Sequence, residues 1–166
     1  TGYNAVPGQT DDTPFVTASG AYTNPEVVAA RSQDLGDELP FGTIVQIVGP
    51  ASDNNGGCNY AIVGDHIGYR VIADTMNARL KNRIDILFAR KDRYILPSGG
   101  MINAASLIGS CPGTTVRVVG FVGMHVVVRF LSRGETVVGI DNLNDYYDVI
   151  LKEARFERLK SLAGPK

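Results

Sequence analysis

Two carboxylates stand where strand-like apolar runs usually carry aliphatic or small residues. Asp74 closes the run Val71-Ile72-Ala73, and Asp85 lies inside the run Ile84 to Phe88. Apolar neighbours disfavour the charged form of a carboxyl, which raises its pKa and equips it to deliver a proton. The plainer reading is turn chemistry, because aspartate is common at strand ends. A pair of such acids in a Gly-rich, non-repetitive β sequence points to acid-base work on a polar polymer, with sugars first in line. Arg79, Lys81 and Arg83 run beside the aspartates, either as a solvated hairpin or as a contact for substrate carboxylates. His66 and His125 lack partners at ligand or triad spacing and read as surface or helix-face residues. Cys58 and Cys111 sit in neither a Cys-x-x-Cys nor a Cys/His cluster, so no metal site is expected. They are two idle thiols or, in an oxidising compartment, one bridge.

The elements that must position these groups are short. Over residues 1–119, apolar or alternating runs at Gly42–Pro50, Tyr60–Gly64, Tyr69–Ala73, Arg83–Phe88 and Thr114–Val119 are separated by turn residues such as Asn54-Asn55-Gly56-Gly57. Strands at this spacing fit a small barrel better than a long-stranded sandwich. Pro25–Ala30 and Asn103–Ile108 read as short helices, with Asn24 and Asn103 as N-caps. The character changes after Val119. Met124–Ser132 reads as a helix stopped at Arg133-Gly134, Glu135–Asp141 as a buried strand, and Asp148–Leu162 as a second helix. Tyr146-Tyr147 reads as an interface pair or, more sharply, a sugar-stacking pair.

Composition bounds the function. The chain has 166 residues, 44% hydrophobic and 20% charged, with a formal charge of −1. That is an ordinary globular composition, and no Lys/Arg cluster provides a nucleic-acid footprint. No apolar run approaches the roughly 20 residues of a bilayer span. The opening Thr1-Gly2-Tyr3 has neither the basic start nor the apolar core of a signal peptide. Without Met at position 1 the chain reads as a mature or trimmed form, which leaves export open.

Residues 1–119 resemble the three-aspartate domain, a double-psi β-barrel module shared with membrane-bound lytic transglycosylase A and with resuscitation-type cell-wall enzymes. The matching stretches are Thr17-Ala18-Ser19-Gly20, Leu39-Pro40-Phe41-Gly42-Thr43, Ile72-Ala73-Asp74-Thr75, Asn82-Arg83-Ile84-Asp85 and Thr115-Val116-Arg117-Val118-Val119. The resemblance implies that Asp85 is the catalytic acid, Asp74 the second aspartate and Asp34 the first, converging in one cleft. Thr75-Met76-Asn77 stands in place of the Gly-Gly that often follows the second aspartate. The implied chemistry is cleavage of the β-1,4 bond between N-acetylmuramic acid and N-acetylglucosamine, one carboxyl serving as acid and then base. Thr17, Ser19 and Arg83 would bind substrate, peptidoglycan glycan strands would be the partner, and the address would be the cell envelope or the exterior.

The C-terminal segment is similar to something else. Gly120-Phe121-Val122-Gly123-Met124-His125, the Arg133-Gly134 stop and Val137-Val138-Gly139-Ile140-Asp141-Asn142-Leu143-Asn144-Asp145-Tyr146-Tyr147-Asp148 look like the first βαβ of a UDP-glucuronate epimerase of the extended short-chain dehydrogenase family. The resemblance puts Gly120 and Gly123 at the NAD pyrophosphate and Asp141 at the adenosine ribose. Arg117 falls where the family has its first glycine, and the chain holds no Tyr-x-x-x-Lys pair. The expected architecture is therefore mainly β: a six-stranded double-psi barrel with short helices over 1–119, then a βαβ-like tail, a truncated Rossmann-like fragment, over 120–166. The expected function is that of a lytic transglycosylase. The alternatives are a non-catalytic peptidoglycan-binding barrel and a degenerate NAD-binding epimerase fragment. No cofactor is expected, NAD being disfavoured, and the tail's apolar stripe at Val126, Val127, Phe130 and Leu131 would pack on its own strand and the barrel or drive self-association.

Overall fold

The computed structural model describes residues 1–10, 12–50, 57–138 and 149–163. The chain divides into two compact units, Thr1–Val119 and Gly120–Lys166. In the first, the strands are β1 (Gly2–Tyr3), β2 (Val28–Arg31), β3 (Thr43–Val48), β4 (Tyr69–Thr75), β5 (Ile84–Leu87), β6 (Arg93–Ile95) and β7 (Met101–Asn103). Two short helices, α1 (Tyr60–Val63) and α2 (Ala104–Ile108), interrupt them, and β8 (Thr115–Phe121) runs across the boundary between the units. Six strands form one mixed sheet in the order β1-β5-β2-β4-β3-β8, while β6 and β7 make a separate ribbon.

The register shows what the sheet is built to hold. β2 pairs parallel with β4 and antiparallel with β5, and β1 pairs parallel with β5. Val28, Ala29 and Ala30 of β2 are all buried, so this strand is covered on both faces. One cluster gathers Ala29, Val45, Ile72, Ile86 and Phe88 with Ile67 and Ile108. The other, smaller cluster holds Tyr3, Val28, Ala30, Ala73, Met76 and Leu87. β3 alternates as a one-sided strand should, with Thr43, Val45 and Ile47 inward.

Some expected elements take other forms. The stretch Pro25–Ala30 is a turn over residues 25–27 that runs into β2, because the Asn24 side chain accepts from the Glu26 N–H at 3.0 Å and its carbonyl accepts from Val27 and Val28. An Asx turn of this kind competes with helix formation. Tyr60–Gly64 is helical in its first four residues and not a strand. The Tyr60 hydroxyl reaches back to the Ile47 carbonyl at 2.8 Å. Its ring lies so close to Gly49 that a Cβ there would come within 2.2 Å of it. Tertiary docking of one ring thus overrides a strand-like composition. By contrast Asn103 caps α2, its side chain accepting from the Ala105 N–H at 2.9 Å.

The second unit contains α3 (Val122–Ser132) and α4 (Val149–Ala163), which pack against each other. The expected strand Glu135–Asp141 is not formed at residues 135–138, where Val138 is 87% exposed, and its remainder lies outside the described residues. Val126 and Phe130 stay partly exposed on α3, which packs against α4. Tyr146 and Tyr147 also lie outside the described residues. None of the described helices is long and apolar enough to cross a membrane.

Candidate functional site

Ala30 is the hinge of the site. It pairs with Asp74 on one side and with Asp85 on the other. Residues in register on neighbouring strands project to the same face, so both carboxyls stand on the face of Tyr3 and Ala30, two strand spacings or about 10 Å apart. Ala30 between them is itself buried, packed with Tyr3, Met76 and Leu87.

The two acids are held differently. Asp74 Oδ1 accepts from the Ala18 N–H at 3.0 Å and from the Thr75 N–H at 2.9 Å, and Oδ2 accepts from the Tyr3 hydroxyl at 2.9 Å. Its orientation is therefore fixed from both oxygens. Asp85 has a buried Oδ1 with no hydrogen-bond partner in the protein. Burial pushes its pKa up, opposed by a hydrogen bond from Thr1 and by the charges of the terminal amine and Arg83. Burial also lowers the Thr1 amine, which donates to the Ile84 carbonyl at 3.2 Å. Tyr3 is raised above its ordinary value by burial, then by Asp74 and, more weakly, by Asp85. The arrangement can retain a proton on Asp85 at higher pH than a solvated carboxyl, with Asp74 held fixed on the far side of β2.

Asp34 does something else. It lies exposed on a short 3-10 turn at Gln33–Leu35 and accepts from the Asn82 N–H at 2.9 Å. Hydrogen bonds from Ser32 and Asn82 hold its pKa below the ordinary value. Ser32 Oγ accepts from the Arg83 N–H at 3.1 Å. Ser32 and Asp34 together pin residues 82–83, where Asn82 takes a φ of 50°, at the entry to β5. The contacts of Asp34 are thus with the segment that delivers Asp85, not with the Asp74 carboxyl.

Thr17 is buried and Ser19 exposed, and both make hydrogen bonds within their own turn. The Thr17 hydroxyl is within 2.9 Å of the Ser19 hydroxyl and donates to the Ala21 carbonyl at 3.0 Å, and the Ser19 N–H donates to the Ala73 carbonyl at 3.0 Å. They shape the turn that presents Ala18 to Asp74. Arg83 is exposed, and its charge acts on Asp85. Tyr3 is the functional side chain that sequence reasoning misses, and its only signal is Gly2. A Cβ on Gly2 would meet the Phe88 ring at 2.8 Å, so the glycine lets β1 settle against the core.

Elsewhere, Cys58 and Cys111 are joined in a disulfide. Among the described residues no group of three or more His, Cys, Asp or Glu is arranged to hold a metal. Gly120 lies within β8 and Gly123 in the first turn of α3, with Phe121 as the extended cap residue between strand and helix. Neither glycine has a positive φ. Asp141 lies outside the described residues.

No family model matches the chain, and no solved structure matches it. Short stretches do match curated proteins. An uncharacterized 37.6 kDa protein of Escherichia coli O111:H- is 68% identical over 40 residues, 24% of this chain and 12% of that protein. UDP-glucuronate 4-epimerase 1 of Arabidopsis thaliana is 40% identical over 78 residues, 42% of this chain and 18% of the enzyme. Protein CapI of Staphylococcus aureus is 46% identical over 43 residues, 26% of this chain and 12% of that protein. The chain spans less than a fifth of the length of these relatives. It carries an epimerase-like fragment. No cofactor is assigned to it, since the matches are fragments of larger proteins.

These matches correct the expectation of a peptidoglycan-cleaving cell-wall enzyme. The matched proteins are named as nucleotide-sugar epimerases and CapI, not as lytic transglycosylases. Glycan strands as partner are likewise unsupported. The expectation leaned on short motifs around aspartates, and aspartates at strand ends recur for structural reasons in many sheets.

Proposed function

We propose that the chain joins a degenerate nucleotide-sugar epimerase fragment, Gly120–Lys166, to a β unit with a proton-transfer cleft of its own. The size of the matched pieces carries the first half of this reading. Five of them span 36 to 47 residues of UDP-glucuronate 4-epimerases, and the C-terminal unit holds 47 residues (166 − 120 + 1). A dinucleotide site needs a glycine turn between its first strand and helix, backed by a wide sheet. Here Arg117 replaces the first glycine and β8 passes straight into α3. Titration calorimetry with NAD and with UDP-glucuronate should give no binding heat, and incubation with both should leave the sugar nucleotide unepimerised. Micromolar NAD affinity or any epimerised product would overturn the degenerate reading.

A second reading belongs to the β unit, and the shared face of Asp74 and Asp85 favours it. Asp85 is the proposed general acid, with Asp74 and Tyr3 orienting a polar substrate and Asp34 holding the entry to β5. We infer that these strands close as a double-psi barrel, a reading supported by the mixed pairing of six strands. We infer an address in the cell envelope or outside the cell, supported by the Cys58–Cys111 bridge, which persists where thiols oxidise. A carboxyl-carbon NMR titration tests the acid: its midpoint should lie above the ordinary 3.8. An Asp85 midpoint at or below that value would remove it from the role.

A further inference from the structure

The first unit holds a concavity that neither Asp74 nor Asp85 lines. Its volume is about 750 Å³. Leu39, Ile47, Ile67, Ile86 and Ile108 form its floor, and all of them are buried. Glu38, Asn82, Arg83, Ser110 and Thr114 stand among the polar groups at its edge. Ile84 and Ile86 line it while Asp85, between them on β5, stands on the opposite face. The floor residues belong to the main core cluster, so the concavity lies directly over packed aliphatic side chains.

Size and chemistry select the occupant. The volume lies in the range of about 300–1,000 Å³ typical of small-molecule sites. One turn of helix, about 10 Å across and 5.4 Å long, fills roughly 400 Å³, so a docked helix of three turns does not fit. A sugar or nucleotide would lay hydroxyls or phosphates on five aliphatic side chains with no partner for them, which is costly. The mouth carries one fixed cation and one fixed anion, Arg83 and Glu38, and burial lowers the Thr1 amine beside them, so it favours a group without net charge. We propose that this cavity binds an uncharged amphiphile: a hydrocarbon chain or fused ring on the isoleucine floor, its hydroxyl or amide head among Asn82, Ser110 and Thr114.

The full chain can be tested with the neutral fluorophore N-phenyl-1-naphthylamine and with 1-decanol as competitor. One fluorophore per chain should bind in the micromolar range, with decanol displacing it. Val116→Phe and, independently, Val118→Trp should each weaken binding at least tenfold, since both residues line the cavity. Val48→Trp, at an exposed strand end outside the cavity, should leave binding unchanged. Cooperative thermal unfolding of each variant, followed by circular dichroism, identifies those that fold. Absence of saturable binding, or equal binding to the parent and to a folded variant that fills the cavity, would overturn the proposal.

Discussion

Replacing Tyr3 with Phe removes one hydroxyl and leaves the ring where it is. That ring is buried with Ala30, Met76 and Leu87, so the packing contribution is retained. What disappears is the 2.9 Å bond to Asp74 Oδ2, while Ala18 and Thr75 still hold Oδ1. A hydrogen bond to a charged group contributes about 1.5–3 kcal/mol net. For a unit of 119 residues each kcal/mol moves the melting temperature by about 3–5 °C, so Tyr3→Phe should lower it by about 5–15 °C. The chain has no Trp, so urea unfolding is best followed by far-ultraviolet circular dichroism. The midpoint should fall with the slope unchanged. Asp74→Asn should cost less in the Tyr3→Phe background than in the parent, the two residues being in contact. A loss below about 0.5 kcal/mol, within the range of ordinary surface substitutions, would refute the reasoning and make the phenol a bystander.

The Asp85 carboxyl is raised by burial, so the folded state holds its proton more tightly than the unfolded state does. The stabilisation it gives is complete below the unfolded value of 3.8 and is lost as pH rises through the folded value. Asp85→Asn, which carries no charge, should therefore gain stability relative to the parent between pH 4 and pH 7 in parallel urea titrations. A constant difference, or one that shrinks with pH, would contradict the burial. Reducing Cys58–Cys111 opens a loop with a sequence separation of 53, for which loop-closure entropy gives about 4 kcal/mol. Dithiothreitol should thus lower the urea midpoint of the wild-type chain and leave that of the Cys58→Ser/Cys111→Ser variant unmoved, and an unmoved wild type would argue against the bridge.

What could be read in the sequence was local. The Asn103 cap needs only the residue two positions on, and α3 follows from helical spacing and a stop at Gly134, whose φ is 77°. The apolar setting of Asp85 was visible from Ile84 and Ile86, which turn to the opposite face from the carboxyl. Other features required the third dimension. Tyr3 meets Asp74 across 71 positions with no periodicity to announce it. The helical turn at Tyr60 depends on a carbonyl at Ile47 and on the missing side chain of Gly49. Asp34 could be picked out as an acid, but its partner Asn82 lies 48 positions away, and only that bond separates a fastener from a reactant.

The bond between Tyr3 and Asp74 joins β1 to β4, and β5 and β2 lie between them in the sheet. In a flat sheet those outer strands would stand about 14 Å apart, three spacings of 4.8 Å. A phenol and a short carboxylate close that gap only if the sheet is bowed. The bond is therefore the tie beam of an arch, and β1, with just two residues laddered to β5, is the footing. Pulling on the amino-terminal strand would load this beam as soon as the two-rung ladder slipped. Once it let go, only the burial of the Tyr3 ring would still hold the strand to the sheet.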